Sequence, residues 1–132
     1  MTTLVDTNIL IYLSDSGSEF HFRATEAFDR CRINGPIVLT DMAYAEFSIG
    51  MEDKDSADAV IFALDLDRRA MSDQALFEAG RIFLDYQRRG GERKKPLPDH
   101  FIAAHAIVIN ASILTLNVRD FEHCHNLNVI GI

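Results

Sequence analysis

The chain has 132 residues, of which 20 are acidic and 13 are basic, so its formal net charge is −7, and 48% of its residues are hydrophobic. This length fits one domain whose core is large enough to fold without disulfides or a structural metal. No apolar run approaches the roughly 18 residues of a membrane span. An acidic protein does not coat nucleic acid by charge alone. Any contact with nucleic acid must therefore be local.

The cysteine pattern and the N-terminal segment point to a reducing environment. Cys31 and Cys124 form neither a C-x-x-C pair nor a regular framework. Sparse, widely separated cysteines are typical of proteins from reducing compartments. The N-terminal segment also lacks the basic start and the long apolar stretch of a secretory signal. We therefore expect a cytoplasmic protein with reduced thiols and no membrane association.

The first third of the chain alternates strand and helix signals. Residues 3–5 are apolar or β-branched and run directly into Asp6, a residue type that starts helices. Apolar residues at helical spacing then predict a helix that ends before Gly35. A second strand is predicted over residues 37–40, and we interpret Asp41 as the cap of the helix that follows it.

Two amphipathic segments in the middle of the chain predict helices. One covers residues 56–64, and the other follows Ser72. Apolar residues recur every three or four positions in the second segment, which is typical of a helix with one buried face. The stripe that we expect this helix to bury consists of Leu76, Ala79, Phe83 and Tyr86.

The last third opens with a segment that breaks regular structure. Residues 88–98 contain two glycines and two prolines and predict the one long loop. A helix is expected to open near Asp99, with strands over residues 112–116 and 128–132. Strands that alternate with helices favour a parallel sheet covered on both faces, because each crossover returns the chain to the same end of the sheet. We therefore predict an α/β fold, a three-layer α/β/α domain with a central, mainly parallel sheet.

Acidic residues recur where the predicted strands end. Asp6 follows the first strand, Glu46 lies on the second turn of the helix after the second strand, and Asp120 comes shortly after the strand predicted at 112–116. Asp99 opens the helix that feeds this strand. Open parallel sheets bind ligands at the carboxyl ends of their strands, and helical side chains lean back toward the helix N terminus. We therefore expect these four carboxylates to share one pocket.

A pocket of four carboxylates predicts a cation site. Carboxylates a few ångströms apart repel one another and are stable only when protons or multivalent cations compensate them. An all-oxygen site suits Mg²⁺, with Mn²⁺ as a substitute, because these hard ions bind carboxylates together with substrate phosphates. Any one of these acids could instead be a helix cap or a partner for a helix dipole. Their joint placement is what predicts the metal site.

Four segments, in the same order along nearly the whole chain, carry a family resemblance. They are Leu4-Val5-Asp6-Thr7-Asn8-Ile9-Leu10, Ala45-Glu46-Phe47, Leu97-Pro98-Asp99-His100-Phe101-Ile102-Ala103-Ala104 and Thr115-Leu116-Asn117-Val118-Arg119-Asp120-Phe121. With these segments the chain resembles the PIN-domain ribonucleases, particularly the VapC-type toxins of bacterial toxin–antitoxin pairs. The resemblance covers nearly the whole chain and implies a single PIN-like domain over residues 1–132.

The resemblance implies an Mg²⁺-dependent endoribonuclease that acts as a toxin and hydrolyses RNA phosphodiester bonds. The residues that would be both catalytic and metal-binding are Asp6, Glu46, Asp99 and Asp120. The resemblance also implies a homodimer and a small cognate antitoxin protein that covers or enters the acidic pocket. His105 departs from the family pattern, which has a small hydroxyl residue or alanine near this point. We interpret His105 as a core residue or as one that touches the pocket.

Polar and basic residues near the acids extend the predicted site. Hydrogen-bonding residues beside the acids are expected to orient them. They are Thr7, Asn8, Thr115 and Asn117. One of them, Asn117, is slightly better explained as a turn residue. Five of the 13 basic residues fall within eight positions just before Asp99. These are Arg88, Arg89, Arg93, Lys94 and Lys95. They predict either a solvated surface or a path for RNA phosphates.

Other functions remain open at the level of sequence. A catalytically weak PIN-like binding module could act through protein or RNA contacts, although intact acids argue against such degeneration. An aspartyl-phosphate enzyme also needs acids at strand ends, but Asp6 is not followed by the second Asp of a D-x-D phosphatase, and no lysine directly follows a predicted strand. His123-Cys124-His125 lacks the second, spaced pair of ligands of a tetrahedral zinc site.

Overall fold

The computed structural model describes residues 1–132, in which six α-helices and five strands follow one another along the chain. The strands are β1 (Thr3–Val5), β2 (Ile37–Leu39), β3 (Asp67–Arg68), β4 (Ser112–Thr115) and β5 (Val129–Gly131). The helices are α1 (Thr7–Ser14), α2 (His21–Asn34), α3 (Asp41–Ser48), α4 (Lys54–Ala63), α5 (Asp73–Arg88) and α6 (Pro98–Val108), and a short 3-10 helix spans Val118–Phe121. None of the helices combines the length and the apolar content that crossing a bilayer requires.

The five strands form one parallel sheet in the order β3-β2-β1-β4-β5. From β1 the chain moves toward one edge through β2 and β3, and it then returns to the other side of β1 with β4 and β5. The strand order therefore reverses between β1 and β4, which is where open parallel sheets bind ligands. The predicted α/β fold with a central parallel sheet is confirmed.

Two hydrophobic cores, one on each face of the sheet, hold the layers together. One core packs Val5, Leu39 and Leu114 with residues of α1 to α4, and the other packs Leu4 and Ile113 with residues of α5 and α6. The strand side chains divide between the two cores because successive residues of a strand point to opposite faces. All five side chains are fully buried, and such burial contributes about 1.5–3 kcal/mol per side chain.

Asp41 does not cap α3, contrary to the expectation. The N-cap residue is Thr40, and Asp41 is the first residue of the helix. Its carboxylate instead pairs with Arg68 in β3 and accepts a hydrogen bond of 2.9 Å from the backbone N–H of Met71. Asp41 therefore fastens the edge strand β3 to the start of α3. β3 itself consists of two exposed charged residues, which is why no apolar pattern predicted it.

The helix α5 buries only part of the expected stripe: Ala79 is buried, and Phe83 and Tyr86 are half-buried. Its buried residues are Ala75, Ala79 and Ile82, whereas Leu76 is 45% exposed. Ala79 packs in the same core as Ala103 of α6. Small side chains let two helices approach closely, so the contact with α6 selects the alanine face over the neighbouring leucine.

Gly35 is the residue at which the chain turns from α2 back into the sheet. Its φ is +153°, and a Cβ at this position would lie 2.2 Å from the carbonyl oxygen of Met1. We expect Gly35→Ala to lower the free energy of unfolding by about 1–3 kcal/mol, because it adds both backbone strain and a clash with main-chain atoms. Gly80→Ala is the matched control, since nothing lies within 4 Å of a Cβ there and alanine favours the helix. Urea unfolding measures both, and equal stability of the two variants would contradict the prediction.

Candidate active site

The four acids predicted from sequence lie at the carboxyl-terminal edge of the sheet. Asp6 directly follows β1, Glu46 lies on α3, Asp99 is in the first turn of α6, and Asp120 is in the 3-10 helix after β4. The charges of Glu46 and Asp120 act on Asp6, and the charges of the other three acids all act on Asp99. The fold therefore brings the four carboxylates within electrostatic reach of one another where the strand order reverses.

Asp6 is the most deeply buried of the four and is 5% exposed. Its Oδ1 accepts the backbone N–H of Thr7 at 2.8 Å, which caps α1. Its Oδ2 accepts the hydroxyl of Thr115 at 2.7 Å and the side-chain amide of Asn8 at 3.2 Å. Three donors from the ends of β4 and α1 thus hold this carboxylate in one orientation.

Two further hydrogen bonds connect the start of α1 to the neighbouring elements. The hydroxyl of Thr7 donates to Oε1 of Glu46 at 2.8 Å and so joins α1 to α3. The side-chain oxygen of Asn8 accepts the backbone N–H of Leu116 at 3.2 Å and so joins α1 to the end of β4. The residues that follow Asp6 in sequence therefore position a second acid and the strand that carries Thr115.

Asn117 contributes to the site through its backbone. Its N–H donates to the hydroxyl of Thr115 at 3.0 Å, and its carbonyl accepts the N–H of Asp120 at 3.0 Å. Its side chain makes no hydrogen bond to any of the four acids. Asn117 is thus a turn residue that leads from β4 into the helix that bears Asp120.

No cationic side chain of the protein offsets the repulsion among the four carboxylates. The five ion pairs of the chain all lie elsewhere, and none includes one of these four acids. Burial, followed by the charges of Asp120, Asp6 and Glu46, raises the pKa of Asp99 to about 6. Burial also raises the pKa of Asp6, even though its hydrogen bonds to Thr115 and Thr7 favour the ionised form.

The carboxylates do not form a complete metal cage, but their oxygen atoms are the donors that a hard divalent cation prefers. The structure contains no group of three His, Cys, Asp or Glu side chains that could hold a metal ion unaided. Mg²⁺ usually keeps several waters and binds through one or two carboxylates together with substrate phosphates, so it does not need such a group. A cation would also compensate the repulsion that raises the pKa of Asp99.

His100 fixes the start of α6 and with it the position of Asp99. Leu97 is the N-cap residue and Pro98 occupies the first helical position. Nδ1 of the buried His100 accepts the backbone N–H of Leu97 at 2.9 Å. Such a bond from the third helical residue back to the N-cap, and proline at the first position, both favour helix initiation. The sequence alone pointed to Asp99 but not to His100, whose only signal was its place three residues after Leu97.

His105 is a core residue and does not belong to the acidic site. It is 2% exposed, and its Nδ1 is hydrogen-bonded to the hydroxyl of Thr40 at the end of β2. The charged groups near it are Asp41, Arg69 and Arg68 rather than the four acids. Of the two interpretations made from sequence, the structure supports the core residue.

The five basic residues before Asp99 divide into two groups. Arg88 and Arg89 line a cavity between α5 and the segment after the 3-10 helix. Arg93, Lys94 and Lys95 line a separate depression in the loop that leads to α6. None of the five forms an ion pair with an acidic residue of the chain. Both groups are thus free to meet an anionic ligand.

Comparison with known proteins assigns this fold to a family. The PIN domain family model matches residues 3–125. Ribonuclease VapC1 of Haemophilus influenzae (strain R2866) is 28% identical over an alignment that covers 96% of this chain and 95% of that protein.

Two solved structures share the fold from end to end. VapBC2 from Rickettsia felis bound to a DNA fragment from its promoter has a TM-score of 0.76 at 23% identity, covering 100% of this chain and 99% of the other. A toxin–antitoxin complex from Klebsiella pneumoniae has a TM-score of 0.69 at 24% identity, covering 97% and 95%. The PIN domain model matches most of the length of this chain, and the chain therefore belongs to the PIN-domain family.

Proposed function

We propose that this protein is an Mg²⁺-dependent endoribonuclease that acts as the toxin of a toxin–antitoxin pair. It hydrolyses RNA phosphodiester bonds at the four-carboxylate site, and Mn²⁺ can replace Mg²⁺. The observation that carries this proposal is the cluster of Asp6, Glu46, Asp99 and Asp120, which no protein cation neutralises. The likeness to a protein named Ribonuclease VapC1 supports RNA as the substrate.

Asp6 and Asp99 would be the principal ligands of the cation. When bound, a divalent cation supplies a more acidic water and neutralises charge on the scissile phosphate. The donors from Thr115 and Thr7 hold Asp6 in place before substrate arrives, so no reorganisation of this carboxylate is needed during the reaction. His100 fixes the backbone of the first turn of α6, from which Asp99 projects.

Glu46 and Asp120 would complete the site through water or by positioning the nucleophile. The hydroxyl of Thr7 holds one oxygen of Glu46 and leaves the other free to accept a proton from the attacking water. Asp120 is the most exposed of the four acids and lies where solvent and substrate enter.

Cleavage of a mixed RNA pool tests the proposed function. Wild-type protein is expected to cut RNA in Mg²⁺ and to lose this activity in EDTA. Asp6→Ala is expected to be inactive in Mg²⁺, with circular dichroism showing that the variant is folded. Activity that survives both EDTA and Asp6→Ala would contradict the proposed site. RNA or protein binding without any cleavage would favour the alternative, a PIN-like binding module.

We further propose that a small antitoxin protein covers the site and that the toxin forms a homodimer. An apolar groove of about 520 Å³ beside Glu46 is lined in part by Ile11, Phe47 and Ile49. Ile49 is 85% exposed and Ile11 is 49% exposed, so a partner would bury apolar surface here. A basic side chain of that partner could reach the acids from this groove. The partner is tested by co-purification with a protein encoded by an adjacent short reading frame, and Ile49→Asp should abolish this co-purification. Sedimentation tests the dimer.

The loop lysines are expected to contribute to RNA binding. Replacing Lys94 and Lys95 together by alanine should weaken binding and flatten its salt dependence, because two phosphate contacts to a single strand account for about 1.4 of the slope of log K against log salt. Anisotropy of a labelled RNA in EDTA, at several salt concentrations, measures this slope. Unchanged binding would mean that the lysines belong to a solvated surface.

A further inference from the structure

A cavity of about 340 Å³ lies outside the acidic site, between α5, the end of α6 and the segment after the 3-10 helix. Its volume is near the lower limit of about 300–1,000 Å³ for small-ligand sites. Most of its lining residues are polar, and those that matter here are Arg88, Arg89, His123, Cys124 and Asp85. The catalytic proposal uses none of these side chains.

One end of the cavity adjoins the acidic site. His123 packs edge-on against His100, with ring centroids 6.2 Å apart, and His100 directly follows Asp99. His123 also lies within reach of the charge of Asp120, and Arg89 acts on both histidines. These contacts place the cavity beside the start of α6, which carries Asp99.

The positive charge of the cavity lies at the end nearest the acids. Arg88 is the last residue of α5 and Arg89 is its C-cap, and neither makes an ion pair. Nε of Arg89 donates only to the carbonyl oxygen of Asp85, at 3.3 Å. The carboxylate of Asp85 offsets one of the two arginines. Glu78, the other acid in the wall, is ten residues before Arg88, or about 15 Å back along the helix. An anionic group is therefore favoured beside Arg88 and Arg89.

His123 supplies an independent sign that a ligand belongs in this cavity. Its Nε2 is the one buried side-chain nitrogen or oxygen atom of the protein that has no hydrogen-bond partner. Buried polar atoms are nearly always paired, so an unpaired one calls for a partner. Nε2 is closed off from the cavity in this structure, so the His123 ring must turn before a hydroxyl, amino or carbonyl group of a ligand can pair with it.

We propose that this cavity binds one nucleotide of the RNA substrate, next to the bond that is cut at the acidic site. Arg88 and Arg89 hold the phosphate, and His123 bonds to the base or the ribose. Asp85 accepts hydrogen bonds from ribose or base donors. The inference rests on the proposed function, because it assigns a second subsite to the same substrate.

The salt dependence of RNA binding tests the phosphate contacts. A short labelled single-stranded RNA is titrated in EDTA, so that it is bound but not cut. The double variant Arg88→Ala, Arg89→Ala is expected to weaken binding and to reduce the slope of log K against log salt by about 0.7, because the two side chains hold one phosphate. Arg23→Ala with Arg30→Ala is the matched control, since it removes the same charge from the exposed face of α2, in the opposite layer. A wild-type slope in the first variant overturns the proposal.

Two measurements report on the cavity itself. His123→Phe keeps an aromatic ring but no ring nitrogen, and it should weaken RNA binding by about two- to tenfold without changing the salt slope. Cys124 lies in the cavity wall and is half-buried, whereas Cys31 is buried. Saturating RNA should slow the reaction of Cys124 with N-ethylmaleimide several-fold. Labelling of Cys124 that is unaffected by bound RNA overturns the proposal.

The same experiments separate failure of the subsite from failure of the proposed function. If the wild type cleaves RNA in Mg²⁺ while loss of Arg88 and Arg89 leaves binding unchanged, the subsite is wrong and the ribonuclease stands. If the wild type neither binds nor cleaves RNA, both are wrong. If the arginine variant binds RNA normally but loses a protein partner, the cavity belongs to that partner and the proposal is overturned.

Discussion

Asp99→Asn is expected to remove Mg²⁺-dependent RNA cleavage while raising the melting temperature of the metal-free protein. The amide is nearly isosteric with the carboxylate but carries no charge. Loss of a principal ligand should lower kcat/KM roughly 10³-fold, since a catalytic cation contributes several kcal/mol to the transition state. Burial and the charges of Asp120, Asp6 and Glu46 raise the pKa of Asp99 to about 6. Removing the charge of Asp99 near neutral pH should therefore add about 1–2 kcal/mol to the free energy of unfolding, after solvent screening is taken into account.

Asp41→Asn is the matched control, because it makes the same chemical change at a site that stabilises the ionised carboxyl. Burial disfavours the ionised Asp41 carboxyl, but hydrogen bonds from Met71 and Arg68 outweigh burial and hold its pKa below the usual value. This variant should keep full cleavage and melt at a lower temperature. Initial cleavage rates and thermal unfolding in EDTA measure both. A lower melting temperature for Asp99→Asn as well would identify Asp99 as a structural residue, and wild-type cleavage would remove it from the metal site.

The opposite environments of these two aspartates show what sequence can and cannot predict here. The junction at Asp6 was predictable because an apolar strand runs straight into a capping residue, and a helix was expected to open near Asp99, where the predicted loop ends. Parallel strands end at one edge of the sheet, so local signals were enough to place these acids together.

Features that depend on distant partners could not be predicted. Asp41 looks like a helix cap locally, but its partners Arg68 and Met71 are 27 and 30 residues further along the chain. The buried face of α5 is likewise chosen by the alanines of α6 rather than by its own periodicity. The cavity beside His123 exists only because the segment after the 3-10 helix packs against α5. Each of these features is a tertiary contact that overrides a local preference.

The stability of the metal-free protein should depend on pH in a way that identifies Asp99. Its pKa is about 6 in the folded state and 3.8 as an ordinary aspartate, so the folded state binds the proton more tightly. Asp99 therefore stabilises the fold most below about pH 4, and this contribution is lost as pH rises through about 6. Three buried or half-buried histidines act in the opposite sense, because burial lowers their pKa and they destabilise the fold below about pH 6.5. They are His100, His105 and His123.

Melting temperature is measured against pH for the wild type and for Asp99→Asn. The difference between the two curves cancels the histidine contribution, which both proteins share. The melting temperatures of the two proteins should coincide near pH 4 and diverge as pH rises to 7, with the wild type the less stable. Millimolar Mg²⁺ should then raise the wild-type melting temperature at pH 7 by several degrees, since a ligand at a hundredfold excess over its Kd adds about 2.7 kcal/mol. The shift should shrink near pH 4, where protonated carboxyls no longer bind the cation. An equal Mg²⁺ shift in Asp99→Asn would place the cation elsewhere and contradict the proposed site.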